Sequence, residues 1–311
     1  MKQRIKAIPL PLSGVMLGCA ALGNLLQSYS ETVRILFGLV AAAALLLLVL
    51  KLILSPSSVS EDMKNPILAS VAGTFPMALM LLSVYVKPMI GTAAFWIWVL
   101  SIALHAVLIV FFTIRFMLKP QMPKVFASYF IVYVGIAAAS ITAPAYNMQV
   151  LGYGLFWFAF VSLLFLLGFI GYRYIKYPQI PEPAQPLFCI FAAPASLCLA
   201  GYLQSAAEKQ LWLVAVMAVL SFALYLMALA MLPRLLRLPF YPSYAAFTFP
   251  FVVSAIALKQ TAGYLAKIGQ PVSALKYVVL FQTVIAVILV VYTLVRFLSA
   301  AYSCTSQPAV K

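Results

Sequence analysis

Long apolar runs alternate with short polar or proline-bearing connections along nearly the whole chain. The pattern predicts ten spans, at roughly 8–27, 32–54, 66–86, 92–118, 124–146, 151–175, 186–205, 210–232, 242–260 and 274–300. The connections are brief, such as Ser55-Pro56-Ser57-Ser58, Lys87-Pro88, Lys119-Pro120 and Arg237-Leu238-Pro239. Most runs reach about 18 residues and show no two-residue alternation, which predicts helices rather than barrel strands. No linker is long enough to separate a second domain. Residues 1–311 therefore read as a single transmembrane domain.

Within this pattern, potential helix-breaking positions recur at a near-constant interval. Pro76, Pro194 and Pro250, with Gly18 and Gly135 filling the gaps, stand 58, 59, 59 and 56 residues apart (18 to 76, 76 to 135, 135 to 194, 194 to 250). Proline removes a backbone donor and clashes with the preceding turn, so it bends a membrane helix. Lipid does not hydrogen-bond the freed groups, and such bends are tolerated where protein or a water-filled cavity does. Five copies of one unit, ringed around a shared interior, are predicted. The odd-numbered spans also carry small residues, as in Ala137-Ala138-Ala139-Ser140 and Ala192-Ala193-Pro194-Ala195-Ser196. Small residues allow close backbone approach or leave a lumen. The odd spans are thus expected at the centre, and the smoother, greasier even spans against lipid.

Composition settles the class. The chain is 66% hydrophobic and 8% charged, with a mean hydropathy of +1.10, where a soluble domain carries roughly 25% charged residues. It reads as an all-α integral membrane protein whose first partner is the bilayer. The net charge of +15 does not indicate nucleic acid, because the basic residues sit between the spans and not among base-stacking aromatics. They read instead as orientation signals. With the N-terminus inside, cytoplasmic segments hold fourteen of the twenty Lys and Arg residues and the opposite side holds six: Arg34, Lys87, Lys209, Lys259, Lys267 and Lys276. Both termini are expected in the cytoplasm, with the protein in the plasma (inner) membrane. Cys19, Cys189, Cys198 and Cys304 lack metal-ligand spacing, so no metal or other cofactor is expected.

The five acidic residues, Glu31, Glu61, Asp62, Glu182 and Glu208, fall in connections or at span ends. Cation routes and proton-coupled pumps usually place carboxylates in the membrane. A neutral wall under a positive overall field suits small anions, with backbone N–H groups near the bends adding partial positive charge. No nucleophile–base pair or phosphate loop is visible, so an enzyme is not expected. His105, mid-span on the fourth helix, reads as a packed, hydrogen-bonded residue rather than a proton relay.

The sharpest local signal is a duplicated tripeptide. Thr74-Phe75-Pro76 in the third span recurs as Thr248-Phe249-Pro250 in the ninth. A phenylalanine beside a mid-membrane bend can project into a lumen and close it, so Phe249 and Phe75 are candidate gates, against the alternative that both rings pack between helices. The threonines are positioned to cap carbonyls freed by the prolines. Gly14, Gly18, Thr74, Pro76, Gly135, Pro194, Thr248 and Pro250 form the candidate pore lining and bends, while the Gly-x-x-x-Gly pattern of Gly14 and Gly18 reads equally as a helix-packing face. Lys259, near the end of the ninth span, either draws anions to the mouth or snorkels to headgroups.

Ser13-Gly14 through Leu17-Gly18 to Ala21-Leu22-Gly23, and Tyr244-Ala245-Ala246-Phe247-Thr248-Phe249-Pro250, resemble the first and ninth helices of the tellurite-resistance/dicarboxylate transporter family. That group includes bacterial tellurite-resistance proteins, fungal malate and sulfite transporters, and plant slow anion channels. The resemblance implies ten transmembrane helices arranged as five helical hairpins in a quasi-five-fold ring around a central pore. It also implies a homotrimer and a plugging phenylalanine that matches Phe249. Ser13, where an aromatic often precedes the glycine, and Gly135 in place of proline depart from the family pattern. The expected function is a gated anion channel or uniporter for small inorganic or organic acid anions. The alternative is a proton-linked C4-dicarboxylate, tellurite or sulfite transporter.

Overall fold

A computed structural model describes the backbone of residues 5–306 and the side chains of residues 5–302. Lys2, Arg4 and Lys311 lie outside the described residues, as does the side chain of Cys304. The described chain is helical, without a strand. Its helices are α1 (Leu12–Leu26), α2 (Glu31–Leu54), α3 (Pro56–Asp62), α4 (Pro66–Val71), α5 (Thr74–Ile90), α6 (Thr92–Phe112), α7 (Tyr129–Tyr133), α8 (Ala137–Thr142), α9 (Gln149–Lys176), α10 (Pro194–Ser205), α11 (Leu211–Leu235), α12 (Phe249–Lys267) and α13 (Leu275–Ser306). A π-helical turn, Thr113–Met117, extends α6, and 3-10 segments at Glu182–Ala192 and Pro242–Phe247 lead into α10 and α12.

Eight of the helical segments, counting α4–α5 and the two 3-10 leads with the helices they join, are long and apolar enough to cross a membrane. The protein is a multi-pass membrane protein. The other two predicted spans take different forms. The first is an apolar helix of only 15 residues, preceded by turns that end at Pro11. The fifth is broken into α7, α8 and a closing 3-10 turn, Ala143–Tyr146.

The ends of these elements follow local chemistry. Ser30 caps α2 by accepting the Val33 N–H at 3.4 Å, and Glu31 stands in the first turn, where the helix dipole favours an anion. Asn65 accepts from the N–H groups of Ile67 and Leu68 at 2.9 and 3.3 Å while Pro66 occupies the first position of α4. Pro194 and Pro250 likewise begin helices, where a missing N–H removes no intrahelical bond.

Gly18 is a correction to the expected bends. Helix α1 runs unbroken through it, and the glycine serves close packing. A Cβ built there would stand 2.4 Å from the Thr248 Cβ, so absence of a side chain is what lets α1 and α12 meet. At Gly135 the chain does break, between α7 and α8. A Cβ there would lie 2.7 Å from the Met77 sulfur and 2.9 Å from the His105 ring. Pro76 sits two residues inside α5, and the break falls just ahead of it at Ala72-Gly73.

Packing separates the elements into two kinds. Helices α1, α5, α8, α10 and α12 each contact the long helix that follows, α2, α6, α9, α11 and α13 respectively. They also contact one another in succession: α1 with α5, α5 with α8, α8 with α10, α10 with α12, and α12 with α1. The segments containing α5, α10 and α12 are largely buried, whereas only a minority of the residues of α2, α6, α9, α11 and α13 are buried. Exposed Leu, Ile, Val and Phe on those five helices, such as Leu39, Val107, Val161, Val219 and Leu280, are the surface that hydrocarbon covers.

At one end, Arg173 is fully buried without a carboxylate. Its guanidinium donates to the carbonyls of Tyr177 at 3.1 Å and Pro123 at 3.0 Å, and lies over the rings of Phe126 and Tyr174. A planar fork of donors meets several backbone acceptors at once, and the aromatic faces supply the negative potential. The end of α9 is thereby tied to the connection that leads into α7.

Candidate functional site

The five inner segments converge on a cavity of about 50 Å³, and each contributes residues to its lining. Gly14 and Leu17 come from α1, Thr74 and Met77 from α5, Phe130 and Gly135 from the broken fifth segment, Pro194 from α10, and Phe249 and Pro250 from α12. No Asp, Glu, Lys, Arg or His lines it. The wall is almost wholly apolar.

The polar groups around the cavity act on the bends. Where a 3-10 segment meets a helix, carbonyls lose their normal partners, and hydroxyls replace them. Thr248 Oγ1 donates within reach of two carbonyls, Ala245 at 2.7 Å and Gly14 at 3.0 Å. Thr74 Oγ1 stands 2.8 Å from the Val71 carbonyl and 2.7 Å from the Ser13 hydroxyl. The Ala192 carbonyl, next to the Pro194 break, accepts from Ser196 at 2.8 Å and Ser254 at 2.9 Å. Ser196 Oγ also stands 2.7 Å from Ser221 Oγ. Ser70 donates to Ser128 at 2.7 Å. The Thr248–Gly14, Thr74–Ser13, Ser254–Ala192 and Ser70–Ser128 bonds run between neighbouring inner segments, and Ser196–Ser221 reaches the outer helix α11, so hydroxyls at the breaks also hold the segments together.

The two Thr-Phe-Pro copies present different residues to the cavity. In both, the threonine hydroxyl bonds a carbonyl three residues earlier. In the α12 copy Phe249 and Pro250 line the cavity; in the α5 copy Thr74 does, and Phe75 and Pro76 do not. Phe75 is half-buried and packs against the apolar core. The backbone differs at the threonine: Gly73 and Thr74 are already helical, whereas Thr248 lies outside the helical region at φ −94°, ψ −93°.

Of the other predicted residues, Gly14, Gly135 and Pro194 line the cavity, and Gly18 and Thr248 pack against each other behind it. Lys259 does not reach it. Its ammonium donates to the Leu25 carbonyl at 2.9 Å and the Ser28 hydroxyl at 2.6 Å, and lies 5.1 Å from the centre of the Tyr29 ring. It caps the C-terminal end of α1, where carbonyls are unpaired and the dipole is negative. On the connection before α11, Lys209 donates to the Ala206 carbonyl at 2.8 Å. Burial and the Lys267 charge push its pKa below the usual lysine range.

His105 is buried, with Nε2 2.9 Å from the Val132 carbonyl and Nδ1 without a partner. It packs behind Gly135 and stays outside the lining. Most of the lining was not singled out in the sequence, including Leu17, Met77, Leu187 and the aromatic Phe130. Phe130 is a second aromatic ring on the cavity wall, packed edge-on to Phe191 at 5.5 Å. Its signal in the sequence was its place five residues ahead of Gly135.

Eight helical segments of membrane length, with five inner segments gathered around a neutral cavity, define a multi-pass membrane protein. A profile of the SLAC1 voltage-dependent anion channel family matches residues 8–298, and the chain belongs to that family. The family includes the tellurite-resistance/dicarboxylate transporters and the plant slow anion channels, and its members are channels or transporters. No individually curated protein matches the chain significantly.

Proposed function

We propose that the chain is a gated anion channel or uniporter that passes small inorganic or organic acid anions. In this reading residues 1–311 form one transmembrane domain. The ten segments are five hairpins in a quasi-five-fold ring, and the cavity is the narrow part of a central pore. The observation that carries the reading is the cavity itself, bordered by all five inner segments and by no ionisable side chain.

The electrostatics favour negative charge. Helices α5, α10 and α12 begin at the cavity, with Thr74, Pro194 and Phe249 in its wall. Helix N-termini carry partial positive charge. The opposing carbonyls of the incoming segments, Val71, Ala192 and Ala245, are already bonded by hydroxyls. Lys209, Lys259 and Lys267, gathered at one end of the inner segments, add positive potential at that mouth.

Phe249 is the gate in this reading. Its ring stands in the cavity wall beside Pro250 and is 7% exposed. An apolar ring in an apolar constriction excludes water and raises the barrier for any ion. The distribution of Lys and Arg supports both termini in the cytoplasm of a plasma-membrane protein, and the family supports a homotrimer. The test is anion flux through the full chain in liposomes under chloride, nitrate, sulfite and malate gradients. Selective anion current would support the reading, and a protein that carries none of these ions, or only cations, would end it.

A further inference from the structure

We infer that a second, polar hollow at the far end of α6 binds the phosphate-bearing headgroup of an anionic phospholipid. This hollow is separate from the central cavity and has a volume of about 240 Å³. Four cations line it: Lys64, between α3 and α4, Arg115 in the π-helical turn, and Lys119 and Lys124 in the connection that follows. Phe116 and the buried Tyr129 form its inner wall.

The charges are not balanced within the protein. Glu61 pairs with Lys64 at 2.7 Å, and Asp62 is taken by Lys51 at 2.9 Å. Among the described residues no carboxylate stands within ion-pair distance of Arg115, Lys119 or Lys124. Three uncompensated cations around a hollow several times the roughly 30 Å³ share of one water form a receptor for a multiply oxygenated anion. Arginine offers a bidentate fork to a phosphate, and the lysines add point charges.

The backbone is shaped for it. Residues Thr113–Met117 form a π turn, a rare geometry that concentrates at functional sites. Thr113 stabilises it through the Ile109 carbonyl at 2.7 Å and the Tyr133 hydroxyl at 2.9 Å.

The surroundings point to a lipid as the source of the phosphate. Ile114 and Leu118, each adjacent in sequence to one of the cations, are 66% and 69% exposed. They continue the hydrocarbon-facing surface of α6 to the lip of the hollow. An anion with acyl chains satisfies both surfaces, whereas a free phosphate leaves the apolar lip in water. Basic pockets beside membrane helices on the cytoplasmic side commonly hold such headgroups. The floor also leads inward, since Tyr129 borders this hollow and the adjoining Phe130 borders the central cavity.

The test is thermal melting of the full-length protein in neutral detergent, titrated with phosphatidylglycerol, phosphatidylcholine or soluble glycerol phosphate. Phosphatidylglycerol should raise the melting temperature, and the other two should not. The combined variant Arg115→Gln, Lys119→Gln, Lys124→Gln should weaken the response about a hundred-fold, and Lys119→Gln alone about five-fold. A charge-matched control, Lys176→Gln, Arg234→Gln, Arg237→Gln, should leave it unchanged. An undiminished response in the first variant would overturn the site. So would equal loss in the control, which indicates bulk charge, or equal stabilisation by glycerol phosphate, which makes the ligand a free anion. If the combined variant fails to fold, the exposed Lys119→Gln change decides by the presence or absence of its five-fold effect.

Discussion

Gly18 of α1 and Thr248 at the start of α12 meet so closely that a Cβ on the glycine would fall 2.4 Å from the threonine Cβ and 2.5 Å from its hydroxyl. The contact joins the first and last inner segments, 230 positions apart in a chain of 311 residues. Replacing Gly18 with Ala overpacks this seam. A loss of about 1–3 kcal/mol is expected, read as a lowered melting temperature in detergent, and Thr248→Gly in the same chain should recover part of it. A Gly18→Ala protein as stable as the parent would show that the seam can open without cost.

Phe249 and Phe75 occupy equivalent places in a repeated tripeptide but different places in the protein. Phe249→Ala should raise anion flux several-fold, because it removes a ring from the cavity wall. Phe75→Ala should leave flux near the parent level, since its ring packs against the core. Liposome flux of both variants at matched protein density is the measurement. Equal effects of the two changes would remove the gate assignment.

Arg173 predicts a stability effect that charge alone does not explain. Arg173→Ala strands the Pro123 and Tyr177 carbonyls, with an expected cost of about 2–4 kcal/mol. Arg173→Lys should recover little of it, because one ammonium does not reproduce a planar fork held between two rings. Melting temperatures of the two variants separate the explanations. Full rescue by lysine would show that only the charge matters.

His105 separates a channel from a proton-linked carrier. It lies outside the cavity lining, bonded to the Val132 carbonyl. His105→Gln should therefore leave the pH dependence of anion flux unchanged, while His105→Leu lowers stability by about 1–2 kcal/mol through the unpaired carbonyl. Loss of pH-gradient-driven uptake in His105→Gln would favour the carrier.

Much of the architecture was legible in residues read one after another. Apolar runs of membrane length mark the outer helices because lipid contact requires nothing more specific than hydrocarbon. Pro194 and Pro250 mark real helix starts because proline's missing N–H acts wherever the helix lies. The hydroxyls at Thr74 and Thr248 were readable as caps for the same local reason. Gly18 proved a packing glycine and not a bend, a choice the sequence left open because a glycine that bends a helix and one that admits a neighbour look identical there. The first and fifth segments also fell short of the unbroken spans their hydropathy suggested. Apolar composition reports burial from water, not the continuity of a helix.

The sequence alone determined the class of protein, the absence of carboxylates from its spans and the helix starts at Pro194 and Pro250, since each depends on a residue and its near neighbours. Tertiary structure decided which side of each bent helix faces the cavity. The two Thr-Phe-Pro copies differ in backbone conformation at the threonine, helical at Thr74 and non-helical at Thr248, and Phe249 lines the cavity where Phe75 does not. Each threonine meets a partner on α1, Thr74 at Ser13 and Thr248 at Gly14 and Gly18, residues far away in the chain that no local reading of either tripeptide contains.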